Sequence, residues 1–122
     1  MKQRPADLAE LPRAREMAVY RKYFDLIAAG QKTIEVRVAY PKHHDLAAGH
    51  LLRFTCRNDE VLTRIVRVGR YANFDEMFDN EAAVSVNPTA SREDQLADIR
   101  DIYLAEKEQL GVLAIEIELV TA

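Results

Sequence analysis

With 122 residues, 48% hydrophobic and 30% charged, the chain has the size and composition of one globular domain with its own core. A net charge of −3, four glycines, four prolines and a single cysteine exclude a collagen-like or low-complexity chain, an intrachain disulfide and a cysteine-rich zinc ribbon. No apolar run approaches the roughly 20 residues of a membrane span and residues 1–7 carry no apolar leader, so no membrane association and a cytoplasmic location are expected.

The charge is uneven along the chain: +1 over residues 1–19, +5 over 20–70 and −9 over 71–122. A basic middle segment suits an anion or a nucleic acid, whereas the acidic remainder argues against tight non-specific binding to duplex DNA.

Residues 1–17 are polar, with isolated Leu8 and Leu11, and read as an N-terminal extension with room for one helical turn. The domain is placed at 18–122. Residues 19–29 follow a helical period through Tyr20, Tyr23, Phe24 and Ile27, a core stripe, and Gly30 stops the helix. Residues 33–40 alternate, with Ile34, Val36 and Val38 opposite Thr33, Glu35 and Arg37, which predicts a half-buried strand ended by Pro41. His43, His44 and His50 fall in loops, where solvated histidines are expected, and their spacing fits no metal-ligand set. Residues 51–56 and 61–71 form a hairpin about Asn58-Asp59-Glu60, with Cys56 expected as a buried thiol. Strict alternation puts Arg64 and Arg70 on one face and Arg67 on the other, as a solvated face or a nucleic-acid track. Asn73 caps a short helix, and residues 80–90 are ambiguous around the turn signal Asn87-Pro88. Ser91 opens the longest helix, whose stripe runs through Leu96, Ile99, Tyr103 and Leu110 to Gly111. Residues 112–120 are a final strand with Leu113, Ile115, Ile117 and Leu119 on one face and Glu116 and Glu118 on the wet side. Adjacent strands without an intervening helix disfavour a doubly wound parallel sheet. The order fits an α+β fold: a small barrel of mixed or antiparallel strands with flanking helices.

The candidate site is Gly30-Gln31-Lys32-Thr33-Ile34-Glu35-Val36-Arg37. Lys32 stands at the strand's entrance and can swing towards Glu35 and Arg37. Arginine and lysine together suit a phosphate or carboxylate, and a carboxylate between them can orient them or accept a proton. An exposed Glu35–Arg37 ion pair explains the same spacing without a ligand.

These residues resemble the ASCH family, which has a PUA-like barrel. The likeness lies in the pattern Gly30-x-Lys32-x-x-Glu35-x-Arg37. Val36-Arg37-Val38-Ala39-Tyr40-Pro41, Tyr71-x-x-Phe74 and Leu110-Gly111-Val112-Leu113-Ala114-Ile115 extend it over 18–120 and resemble small prokaryotic and archaeal single-domain members. The resemblance implies a cleft lined by the signature residues that binds RNA, a nucleotide or a nucleoside, with no cofactor. Some members cleave single-stranded RNA. Glu35 would then be the base, Lys32 the stabilising cation and Arg37 the phosphate holder. Tyr40 would stack on a base and Ser91 would offer helix N–H groups to an anion. A ribonuclease would also admit a divalent metal. Other members deacylate N4-acylcytidines with a Lys, Thr and Glu set. The lysine falls on Lys32, but the threonine position holds Glu35, with Thr33 as the nearest hydroxyl. The glutamate falls near Asn87 or Pro88, with Glu81 the nearest upstream carboxylate. A recognition module without chemistry is the third reading.

Overall fold

A computed structural model describes residues 14–121. Among these residues five strands form one mixed sheet: β1 (Arg15–Ala18), β2 (Ile34–Val38), β3 (Leu51–Cys56), β4 (Asp59–Tyr71) and β5 (Val112–Leu119), in the order β1-β3-β4-β5-β2. Only β1 and β3 run parallel; the other three pairings are antiparallel. The sheet curls into a half-barrel flanked by α1 (Arg21–Ala28), α2 (Phe74–Asn80), α3 (Ala83–Val86), α4 (Arg92–Ile102) and α5 (Ala105–Glu108). The α+β barrel with flanking helices is therefore the observed architecture, and no helix among the described residues is long and apolar enough to cross a membrane.

Residues 15–17, read from sequence as part of a polar extension, belong to the sheet. Polar Arg15 and Glu16 hide the one inward residue, Met17, which is 3% exposed in the core. A four-residue strand with one apolar side chain leaves too short an alternation to detect. Residues 1–13 lie outside the described part.

The sheet separates two apolar layers. Met17, Ile27, Leu52, Phe54, Ile65, Leu113, Ile115 and Ile117 fill the concave side. Ile34, Val36, Val38, Val112 and Ala114 pack under Phe74, Met77, Phe78 and Val86 on the other. Strand β5 is thus buried on both faces from Val112 to Ile117, save Glu116, which is half-exposed. Tyr20, placed in the core stripe by period, is 65% exposed because α1 begins one residue later. The helix from Ser91 ends at Ile102; Tyr103 takes extended geometry, and Leu110 is exposed rather than part of the stripe.

The hairpin closes through two residues, Arg57 and Asn58, with Arg57 at φ 56°. An irregularity at Val66 shifts the register, since Ile65 faces Ile117 while Arg67 faces Glu116. One extra residue reverses the alternation beyond it. Arg67 therefore shares the outer face with Arg64, and both pair with β5 carboxylates, Glu116 at 2.6 Å and Glu118 at 3.8 Å. Arg70 falls on the opposite face and donates to the His44 carbonyl. Most arginines of the basic middle segment are likewise paired: Arg21 with Asp25 and Asp59, Arg53 with Glu16 and Glu60. Arg53, Arg64 and Arg67 reach carboxylates outside that segment, and Arg64, Arg67 and Arg70 form no continuous track.

Buried Glu81 ties the helices to the sheet. It takes both arms of the Arg67 guanidinium at 2.6 and 2.9 Å and accepts from Tyr71 Oη at 2.5 Å. Gly69 leaves the room for this knot, since a Cβ there would stand 2.8 Å from Glu81 Oε2. The Arg67 hydrogen bonds, foremost, hold the Glu81 carboxyl below its ordinary value. A carboxyl depressed in the folded state stabilises it above the ordinary pKa, and that contribution is lost as pH falls through the depressed value. Glu81→Gln is expected to cost about 1–3 kcal/mol at neutral pH, discounted because Arg67 is half-exposed. Denaturation midpoints measured down to about pH 3 are expected to show a shallower acid limb in the variant.

Candidate functional site

The two edge strands of the half-barrel, β1 and β2, do not pair with each other, and the seam between them holds a cleft of about 390 Å³. Its floor is β2, presenting Glu35, Val36 and Arg37, with Lys32 before it. One wall is the chain leaving β1 (Ala18, Val19, Tyr20) and Tyr23 of α1; the other is α4 with Gln95, Asp98, Ile99 and Ile102, continued by Tyr103.

Local sequence explains why the charges meet there. The chain leaves α1 through Gly30, whose φ of +75° suits a helix stop, and the Gln31 and Lys32 amides both donate to the Leu26 carbonyl. This tight exit drops Lys32 inward, 4% exposed. Alternation along β2 then sends Glu35 and Arg37 to the side of their β5 partners Ile115 and Leu113, so both interrupt the concave apolar layer. Buried charges need partners, and these have them. Lys32 Nζ donates to the carbonyls of Ile34 (2.7 Å) and Val86 (2.9 Å) and lies 3.4 Å from Glu35 Oε1. Three acceptors match its three N–H bonds. Arg37 Nε donates to Glu35 Oε2 at 2.6 Å, and Nη2 donates to the Ala18 carbonyl at 3.0 Å, bridging the seam from β2 to β1. Burial pushes the Lys32 ammonium below the ordinary lysine value, against the pull of Glu35. Lys32 also stands 5.5 Å above the Tyr23 ring, which faces the same space.

The structure thus brings Lys32, Glu35 and Arg37 together at one cleft. Other expected site residues lie elsewhere. Thr33 opens instead on a separate cavity of about 230 Å³ with Thr63 and Ile117. Tyr40 packs against Tyr103 and His43, each 6.4 Å away between ring centroids, rather than standing at the cleft. Ser91 caps α4 by accepting from the Asp94 amide, away from the cleft walls. Ser91→Ala is therefore expected to cost about 0.5–2 kcal/mol in thermal stability, with ligand affinity unchanged by titration. Glu81 is held by Arg67 and Tyr71 and does not line the cleft.

Two further expectations change. His43 is buried, not solvated; burial, then nearby Lys42, Arg37 and Arg15, lowers its pKa, and its Nδ1 has no partner among the described residues. Cys56 is only half-buried. His43 ends the short 3-10 helix Pro41–His43, which gives no period from which depth can be read, and Cys56 is the last residue of β3, beside the hairpin turn.

The sequence reading missed the wall on α4. Gln95, Asp98 and Ile102 recur at helical spacing on one face, but a polar residue with an acid beside it reads as a solvated face. Gln95 is 5% exposed; its Nε2 is held by the carbonyls of Ala83, Asn87 and Ala90, while Oε1 has no partner among the described residues. Tyr103, expected only as stripe, and Tyr23, expected only as core, are the cleft's aromatic walls.

A curled mixed sheet whose open seam carries a buried lysine–glutamate–arginine chain defines a small half-barrel with a cleft at its seam. The chain belongs to the ASCH domain family, whose model matches residues 17–121. It is similar to the crystal structure of hypothetical protein PH0355, with 31% identity and a TM-score of 0.81 over 88% of this chain and 100% of that one. The solution structure of protein PF0455 from Pyrococcus furiosus is 29% identical, with a TM-score of 0.72 over 90% of this chain and 100% of that one. Protein EF3133 from Enterococcus faecalis V583 shares the fold at 12% identity, with a TM-score of 0.67 over 97% and 88% of the two chains. No curated protein matches the chain.

Proposed function

We propose that the cleft binds a nucleoside or nucleotide, free or as one residue of a single-stranded RNA. The observation that carries this reading is the buried Lys32–Glu35–Arg37 chain on the floor of a cleft walled by Tyr23 and Tyr103. Aromatic walls offer flat faces to a base. Arg37 Nη1 has no hydrogen-bond partner among the described residues and serves a phosphate or carbonyl oxygen. The four charged lining residues (Lys32 and Arg37 against Glu35 and Asp98) sum to zero, which suits a polar heterocycle with one phosphate better than a polyanion. The association of ASCH domains with RNA points the same way.

The mutual pairing of the triad favours recognition over turnover. The Lys32 N–H bonds are all engaged, and each Glu35 oxygen already accepts from a cation. RNA cleavage and N4-acylcytidine deacylation both need a base, and here Glu35 and Lys32 are already tied to each other in an ion pair. The test is titration of the four common ribonucleosides, their 5′-monophosphates and a short single-stranded RNA into the protein and into Lys32→Met. Saturable one-site binding, weakened about tenfold or more in the variant, with the ligand recovered intact, is the expected result. Ligand consumed in a Lys32-dependent way would replace recognition by catalysis. A cleft that none of these probes occupies would overturn the reading.

A further inference from the structure

Strand β2 is an edge of the sheet, and its outer edge forms part of the cleft floor. Its ladder with β5 shows which backbone groups face outward. The Ile117 amide donates to the Thr33 carbonyl at one end, and the Ala39 amide donates to the Gly111 carbonyl at the other. The register between them is unbroken, with Glu35 opposite Ile115 and Arg37 opposite Leu113. In an antiparallel ladder alternate residues bond the partner. Glu35 and Arg37 therefore point their N–H and C=O groups at β5, the Thr33 C=O and the Ala39 N–H end that run, and Ile34, Val36 and Val38 point theirs away.

Two of those three outward residues are already engaged through their carbonyls. The Ile34 carbonyl accepts from Lys32 Nζ, and the Val38 carbonyl accepts from the Tyr40 amide. Among the described residues Val36 has neither kind of partner, although it is only 7% exposed and lines the cleft. A buried residue with an unpaired backbone donor and acceptor carries a desolvation cost that a ligand can remove.

We infer that the Val36 N–H and C=O together read the edge of a planar heterocycle or lactam that carries a hydrogen-bond acceptor beside a donor. The Val36 N–H donates to a ring nitrogen or carbonyl oxygen, and the Val36 C=O accepts from the adjacent N–H or amino group. Tyr23 and Tyr103 stand at the walls for the ring faces. Arg37, flanking Val36 in the strand, takes an oxygen beyond the edge. Strand addition by a peptide would use the same groups but needs a run of alternate residues. Here the neighbouring carbonyls are taken, and Arg37 closes the seam onto Ala18, leaving one residue's length of open edge. This inference rests on the nucleoside reading for the choice of probe, and the probes separate the two.

The experiment is an amide NMR titration of the isotopically labelled full chain. The probes are uridine, cytidine and 2-pyridone, beside three forms with a blocked donor: N3-methyluridine, N4,N4-dimethylcytidine and N-methyl-2-pyridone. The expected result is that the Val36 amide moves most along β2, and that blocking weakens binding about tenfold or more. Val36→Pro removes the outward N–H without touching the ladder, a substitution edge strands tolerate, and is expected to lose the same affinity in a folded protein. Should that variant not fold, the methylated probes still decide. Equal binding of blocked and open forms, or a cleft occupied without movement at Val36, overturns the inference and leaves the nucleoside reading standing. Binding of 2-pyridone without either nucleoside does the reverse. No binding by any probe overturns both, and an extended tripeptide that shifts Ile34, Val36 and Val38 together replaces the heterocycle by strand addition.

Discussion

Glu35→Ala is expected to destabilise the fold by about 3–5 kcal/mol at neutral pH, the usual cost of removing one partner of a buried pair. Lys32 and Glu35 have side chains 4% and 8% exposed, so the ammonium would be left in the core with only two carbonyls for company. The loss is expected to depend on pH. Without Glu35 the influences left on Lys32 are burial and Arg37, both of which lower its pKa. Between that depressed value and the ordinary lysine value the unfolded chain binds more protons, so stability rises with pH across this window. The variant should therefore regain stability as the medium is made alkaline, and more steeply than the parent. Denaturant unfolding at neutral pH and at about pH 10 measures this. A penalty that is equal at both pH values would mean that Lys32 is neutral already, and would remove the buried cation from the site.

The second large effect is expected at Arg37, on binding. Arg37→Gln removes the clasp from Glu35 to the Ala18 carbonyl and the one guanidinium nitrogen left for a ligand. Hydrogen bonds to a charged group contribute about 1.5–3 kcal/mol, which converts to roughly 10- to 150-fold in affinity. The nucleoside 5′-monophosphates are expected to lose more than the parent nucleosides, because only they present an anion to the guanidinium. Calorimetric titration of each pair against both proteins reads the ratio. An equal loss for both ligands would make Arg37 a structural clasp alone. Stability is expected to fall less than in Glu35→Ala, since Arg37 is partly solvated and its loss leaves Glu35 paired with Lys32.

The contrast between the two residues shows what was legible in the sequence. Their spacing, the helix stop at Gly30 and the alternation of β2 were readable because period and turn chemistry are local properties. The caps Asn73 and Ser91 were equally readable and hold. The strand at Arg15–Ala18 was not, because its one buried side chain gains its place from β3, far along the chain. Nor was the single extra residue at Val66, which sends Arg67 to Glu81 and Glu116 and leaves Arg70 on the other face. The site divides in the same way. The local pattern put Lys32, Glu35 and Arg37 on one strand, but an exposed ion pair would have had the same spacing. Burial separates those cases, and burial is set by α3, α4 and the chain leaving β1, which pack about the seam. Gln95 and Tyr103 became walls by that packing alone. The sequence by itself determined the elements, their ends and the charged signature, because these depend on neighbours a few residues apart. Tertiary structure decided which charges are buried, which arginines are already paired and which edge of β2 stays open, because these depend on contacts between residues distant in sequence.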